Sequence, residues 1–222
     1  ELVARWEEAA WANFVYPLDE GSQVKYLIRP PHQAVYEQPV VLRPGTPTLE
    51  RWRSLQLVFL RGATITIRAD VGADDVGTLV AHGDQGGGYT VFVDEQGLHA
   101  VHNDGRGTMR SIDAPRPAPG AHEIVLDLVA PGGAVWDPVL SVDGVEVGRA
   151  EGWPCLYGMA PFEGIDVGID RRSPVVWSKF RARGCDRYTG ALESVTYAPH
   201  TPPADAPANL LPMLKEMGLK YE

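Results

Sequence analysis

With 222 residues, 44% of them hydrophobic and 22% charged, the chain can bury one large core without disulfide staples. Its 29 acidic and 20 basic residues leave a net charge of −9, which argues against general binding to nucleic acid or to anionic lipid. No stretch reaches the ~18 consecutive apolar residues that a membrane span needs.

The chain opens ELVARWEE, without the basic-then-apolar layout of a secretory signal. A cytoplasmic setting is therefore expected. Glu1 is not methionine, so the chain reads as an internal or C-terminal piece of something longer. Residues 2–14 predict an amphipathic helix: Val3, Trp6, Ala10 and Phe14 fall at spacings of three and four, and Pro17 ends the pattern. A helix this short is marginal alone and is expected to pack on a partner domain or on the body of the chain. Residues 18–50 read as irregular, with Pro30-Pro31, Pro39, Pro44 and Pro47, a composition suited to wrapping a surface or linking domains. Residues 1–50 are thus assigned as a helix and linker, 51–200 as the main domain and 201–222 as a tail.

From about residue 54 the period changes to two. Ile65, Ile67, Ala69 and Val71 alternate with Thr64, Thr66, Arg68 and Asp70, predicting one buried and one wet face. Gly83–Gly88 reads as a turn, and Tyr89–Asp94 with Leu98–Asn103 as a hairpin through Glu95-Gln96-Gly97. Glu123–Val129 follows, with Ile124, Leu126 and Leu128 on one side. Leu140–Val147 predicts a second hairpin about an Asp143-Gly144 turn of type I′, pairing Val142 with Val145 and Leu140 with Val147. Ile165–Ile169 and Ala191–Tyr197 supply further strands. Strands of this length at such spacing predict a mainly β fold, an antiparallel jelly-roll β-sandwich with short flanking helices. A short C-terminal helix is expected with Pro212 in its first turn and Gly218 past its end.

No catalytic constellation stands out. His99 and His102 have metal-like spacing, but residues three apart on a strand face opposite ways. Gly83–Gly88 lacks the Lys-Ser or Lys-Thr of a phosphate loop. No serine lies in a Gly-x-Ser-x-Gly elbow. Cys155 sits in an apolar run that would keep its thiol inert, and with Cys185 it is expected to be free. Asp166, Asp170 and Asp186 could hold a hard cation such as calcium; capping turns or pairing with Arg171 and Arg172 is the plainer alternative. Arg171, Arg172, Lys179, Arg181, Arg183 and Arg187 form a basic cluster suited to carboxylate, phosphate or sulfate, or else solvated beside Asp170 and Asp186. Trp136, Trp153, Tyr157 and Trp177 could stack on sugars or aryl groups, or fill the core.

Gly77–Gly88, Tyr89–Asn103, the Leu140–Gly148 hairpin and the run GIDVGIDRRSPV…YTGALESVTY together resemble the C-terminal region of large bacterial arylsulfatases, as does Trp6 followed by Asn13-Phe14-Val15-Tyr16-Pro17-Leu18-Asp19. The resemblance implies a lectin-like or laminin-G-like (concanavalin A-like) jelly roll appended to a sulfatase domain. For that parent domain it implies a formylglycine nucleophile and calcium, with none of that machinery in this chain, since neither cysteine lies in the formylglycine motif. It implies partners too: the catalytic domain of the same polypeptide, a sulfated aryl or sugar ligand, and other copies of the chain in an oligomer. The expected function is then a non-catalytic module that shapes or shields a sulfuric-ester hydrolase site. Asp170, Arg171, Arg172, Trp177 and Arg181 are its expected ligand- or interface-facing residues. A carbohydrate-binding lectin-like module and a structural oligomerisation domain are the two alternatives.

Overall fold

A computed structural model of the chain describes residues 1–12, 31–156, 162–209 and 212. It divides into two compact units, residues 1–34 and 35–222. In the first, α1 (Leu2–Ala12) forms as the spacing predicts, with Glu1 and Arg5 paired at 3.1 Å across one turn. Val3 and Trp6 are exposed and Ala10 is buried. Phe14 and the Asn13–Asp19 motif lie outside the described residues.

The second unit is a sandwich of two antiparallel sheets. One has seven strands, in the order β1 (Val40–Leu42), β12 (Ala191–Pro199), β2 (Ala63–Val71), β7 (Gly120–Gly132), β8 (Val135–Val142) and β10 (Trp153–Pro154), with β9 (Val145–Arg149) also on β8. The other has five, in the order β11 (Ile165–Val167), β3 (Gly77–Asp84), β4 (Gly87–Val93), β5 (Leu98–Asn103) and β6 (Met109–Ala114). β1 joins the sandwich ahead of residue 51, so part of the stretch assigned as linker is an edge strand paired with β12. Two helices flank the sheets, α2 (Arg51–Gln56) and α3 (Trp177–Arg183), and neither is predicted by the sequence pattern. The Glu50 carboxylate caps α2 by accepting from Trp52 N and Arg53 N at 2.7 and 3.2 Å.

Alternation places the core. Ile65, Ile67 and Ala69 on β2 and Ile124, Leu126 and Leu128 on β7 face Tyr89, Val91, Val93, Leu98 and Ala100 of the other sheet. Trp136 and Trp153 are fully buried among them, and the Trp136 indole N–H donates to Arg61 O at 2.9 Å. The predicted β4–β5 hairpin forms, with Val93 opposite Leu98.

The β8–β9 hairpin departs from its predicted register. Asp143 and Gly144 have the positive φ of a type I′ turn, 50° and 77°, and Val142 pairs with Val145. Beyond Ser141↔Glu146, however, the register shifts, and Leu140 pairs with Gly148 rather than Val147. A side chain at 148 would collide with Ile112 Cγ2 of the opposite sheet, so glycine there lets β9 close over β6. That inter-sheet contact, not strict alternation, sets the strand's path. Val145 is 66% exposed, and the four apolar residues do not share one buried face.

β3, β4 and β5 are buried at every position, so both faces of the five-stranded sheet are covered. The outer cover is the strap between β11 and β12 that carries α3. Asn103 Nδ2 donates to Val175 O at 3.0 Å, Lys179 Nζ donates to Thr78 Oγ1 at 2.9 Å, and the Lys179 ammonium sits 4.3 Å from the Phe92 ring centre. On the outer face of the seven-stranded sheet Arg68, Asp70 and Glu123 are exposed. The tail folds back on the sandwich: Asp205 Oδ2 accepts from Gly133 N at 2.7 Å, and Ala206 is buried. Helical turns begin at residue 206, ahead of a helix with Pro212 in its first turn, because Asp205 O already accepts from Ala208 N and Asn209 N. Leu210, Leu211 and 213–222 lie outside the described residues.

Candidate functional site

One serine does lie beside a histidine. Ser54 Oγ is 3.1 Å from His82 Nε2, and His82 Nδ1 is 3.0 Å from Tyr89 Oη, which is 3.3 Å from Tyr197 Oη. Counting protons removes it as a nucleophile and base. Ser54 gives its only hydrogen to Arg51 O at 3.1 Å, so Oγ can only accept from His82 Nε2–H. Burial lowers the His82 pKa to about 3, which keeps the ring neutral, and Ser54 and His82 are both closed off between the sheets. The chain of hydroxyls and imidazole ties α2 to both sheets. Ser54→Ala, which leaves a buried N–H without an acceptor, is expected to lower unfolding free energy by about 1–3 kcal/mol in urea titrations.

The other sequence candidates resolve in the same way. His99 bridges Asp113 and Asp94 at 2.6 and 3.0 Å, and His102 Nε2 donates to Pro154 O at 2.9 Å on the opposite side of β5. Among the described residues no group of three or more His, Cys, Asp or Glu side chains is placed to hold a metal ion. Cys155 and Cys185 are free, and burial pushes the Cys155 thiol up to about 12. Gly83–Gly88 is the β3–β4 turn, with Asp84 Oδ1 accepting from Gly86 N at 2.6 Å.

The five expected ligand-facing residues separate into two kinds. Asp170 and Arg171 are structural. Asp170 is buried and accepts from Val175 N at 3.1 Å. Arg171 is bonded to Asp166 through both its backbone N–H, at 3.0 Å, and its guanidinium, at 2.5 Å. Thr48 Oγ1 donates to the same carboxylate at 2.6 Å. Asp186 pairs with Lys179, and Glu95 with Arg183. Arg172, Trp177 and Arg181 are exposed. Trp136 and Trp153, as core residues, cannot serve as sugar platforms, and Tyr157 lies outside the described residues.

The seven-stranded sheet carries a site that sequence reasoning missed. A groove of about 410 Å³ lies over the ends of β2, β7 and β12, lined by Arg68, Asp70, Ala121, His122, Glu123, Ala191, Leu192 and Glu193. Register builds it. Arg68 stands opposite Glu123 on β7 and pairs with it at 2.9 Å, both side chains half exposed. On β12, Leu192 pairs with Ala69 and Ser194 with Arg68, so Glu193 is the extra residue of a β-bulge. A bulge re-aims the side chain it inserts. Here Glu193 is exposed at the groove while Ser194 is buried. At the groove's end His122 presents Nδ1 to Asp143 Oδ2 at 2.7 Å and Nε2 to Ala118 O at 2.6 Å. Only the imidazolium has a proton for both acceptors. The Asp143 carboxylate, then the Ala118 carbonyl, raise its pKa. Asp143 is held down by Glu123 N–H and by His122. Alternating polar positions on β2 and β7 signalled a wet face, but the bulge that turns Glu193 outward leaves no mark in the sequence.

The site therefore offers one guanidinium, three carboxylates and small aliphatic walls on an exposed sheet. It has donors and acceptors in quantity and no nucleophile paired with a base. No protein-family model matches the chain, and no curated protein matches it. Solved structures do match. The CBM40 of a Ruminococcus gnavus IT-sialidase, bound to α2,6 sialyllactose, superposes with a TM-score of 0.52 at 12% identity, covering 76% of this chain and 93% of that one. Its α2,3 sialyllactose complex gives 0.50 at 12% identity, covering 76% and 92%. A NanB sialidase variant from Streptococcus pneumoniae gives 0.53 at 10% identity, covering 74% of this chain and 26% of that one. The fold is a lectin-like jelly roll. These likenesses establish architecture alone, and they lend no support to the sulfatase resemblance.

Proposed function

We propose that this jelly roll is a carbohydrate-binding module and that the Arg68–Glu123–Glu193 groove is its saccharide site. The observation that carries this reading is the bulge on β12, which brings a third carboxylate, Glu193, to a groove that also presents Arg68, Asp70 and Glu123 beside alanine and leucine. A sugar ring has hydroxyls that both donate and accept and a CH face that tolerates small apolar contacts, and this lining meets each of them. The likeness of fold to a CBM40 seen with sialyllactose supports the general reading. The charge points to a different ligand. Asp70, Glu123 and Glu193 outnumber Arg68, and His122 is occupied by Asp143. An anionic sugar would meet net repulsion, so the groove is matched to a neutral oligosaccharide.

A glycan array followed by calorimetry tests this. Neutral glycans should bind in preference to sialylated ones. Arg68→Ala, which removes charge-assisted hydrogen bonds each contributing about 1.5–3 kcal/mol, should weaken binding at least about tenfold. The reading fails if no neutral glycan binds, or if Arg68→Ala and Glu193→Ala both bind as the parent protein does.

A further inference from the structure

On the strap across the other sheet, α3 buries none of its residues. The strap is held by Lys179, bonded to Asp186 and Thr78, and by Arg183, bonded to Glu95. These contacts leave a face free. Trp177, 44% exposed, stacks on Phe180 with ring centres 4.9 Å apart and planes 22° from parallel. Arg181 lies one turn after Trp177, which puts the two side chains side by side on the helix surface. Among the described residues Arg181 has no ion pair, nor do Arg172 and Arg187 on the same strap, whereas Arg171, Lys179 and Arg183 each have a carboxylate. In a chain of 29 acidic and 20 basic residues, the strap thus gathers three guanidiniums without a carboxylate partner.

We propose that the exposed face of α3, formed by Trp177, Phe180 and Arg181, is a second binding site, for a saccharide that carries a carboxylate or a sulfate. An aromatic pair offers a flat apolar surface for the CH face of a sugar ring. A guanidinium one turn away offers a planar fork for an oxyanion. The groove suits such a ligand less well, because its three carboxylates outnumber Arg68 and no Trp, Tyr or Phe lines its walls. The proposal rests on the reading of the chain as a saccharide binder but uses the opposite side of the sandwich, so the two sites answer to different variants and different ligands.

The test uses the full chain and four probes: an oligogalacturonate for the carboxylate, a dextran sulfate oligomer for the sulfate, dextran as the neutral control and poly-glutamate as the non-saccharide anion. At least one acidic saccharide should bind, with affinity falling as salt rises. Trp177→Ala and Arg181→Gln should each weaken it about tenfold, while Arg68→Ala leaves it unchanged. Because α3 contributes no buried residue, both variants should keep the parent melting temperature, which circular dichroism checks. Preference between the first two probes tells carboxylate from sulfate. Absence of binding by either acidic saccharide, binding that survives both α3 variants, or equal binding of poly-glutamate through the same residues would overturn the proposal. Loss of neutral-glycan binding in Arg68→Ala bears only on the groove.

Discussion

Asp170→Asn should be more stable than the parent protein at pH 8 by about 4 kcal/mol, and this advantage should fall below about 2 kcal/mol at pH 5. Burial pushes the Asp170 carboxyl up to about 7; the Val175 N–H and the Lys179 ammonium oppose the rise, and Asp166 and Glu163 add to it. A carboxyl whose folded pKa is raised behaves opposite to the usual case. Between its unfolded value near 3.8 and its folded value near 7, the native state holds a proton that the unfolded chain has lost. Stability from this group is therefore greatest in acid, declines as pH rises through that window, and is fully lost above it. Asparagine keeps an oxygen for Val175 N–H and carries no charge to bury, so the decline should vanish. Urea unfolding of both proteins at pH 5, 6, 7 and 8 measures it. A constant difference across that range would mean that Asp170 stays ionised and well compensated in the fold. The sequence put Asp170 in a ligand-facing loop; the structure buries it, with its carboxylate accepting from Val175 N–H.

What the sequence disclosed followed from periodicity. Ile65, Ile67 and Ala69, and Ile124, Leu126 and Leu128, stood out at period two and are the facing rows of the core. The Asp143-Gly144 turn was legible because few dipeptides tolerate two positive φ angles in succession. What escaped depended on contacts between segments distant in sequence. The slip from Val147 to Gly148 is set by Ile112, on another sheet. β3 was hidden because its residues are buried on both faces and so show no alternation. α3 has the composition of a surface loop because, with no buried residue, it has no apolar stripe to advertise it. The basic cluster was visible as a cluster, but which members are neutralised depends on Asp166, Asp186 and Glu95 arriving from elsewhere in the fold. The groove combined both difficulties: Arg68 and Glu123 are 55 residues apart in sequence, and Glu193 reaches them only through a bulge.

The two proposed surfaces lie on opposite sides of one sandwich, and their charges are opposite in sign. The outer face of the seven-stranded sheet presents Asp70, Glu123 and Glu193 around a single guanidinium; the strap presents Arg172, Arg181 and Arg187 beside an aromatic pair. The jelly roll accommodates this because its sheets are covered unequally. Strap residues seal one face so thoroughly that any ligand there must bind to the strap itself, while the other face remains accessible between its strands.

Acid should expose a weakness inside the core. In the Asp170→Asn background, lowering pH from 7 to 5 should cost about 4 kcal/mol of stability through His82 and His102, almost equally, offset in part by His122, whose pKa is raised. Burial lowers His82 to about 3 and His102 to about 4, the latter in spite of the Pro154 carbonyl that accepts from its Nε2. A base whose folded pKa is depressed leaves the unfolded chain binding more protons below pH 6.5, so stability falls with pH from there until the folded values are reached. The structure shows why both rings resist a second proton. His82 is closed off between the sheets, with Nδ1 3.0 Å from the Tyr89 hydroxyl. His102 Nδ1 is buried with no partner for a hydrogen, between the Trp136 and Trp153 rings. In the parent protein Asp170 takes up its proton over the same range and offsets about 2 kcal/mol of the loss, so the asparagine background is needed to see the full slope. Adding His102→Phe should remove about 2 kcal/mol of that loss whatever it does to stability at pH 7, since it removes one of the two rings whose pKa is depressed. Unfolding free energies that stay level between pH 7 and 5 in the asparagine background would show that the imidazoles can be protonated in place, and that the hydroxyl chain between the sheets is open to water.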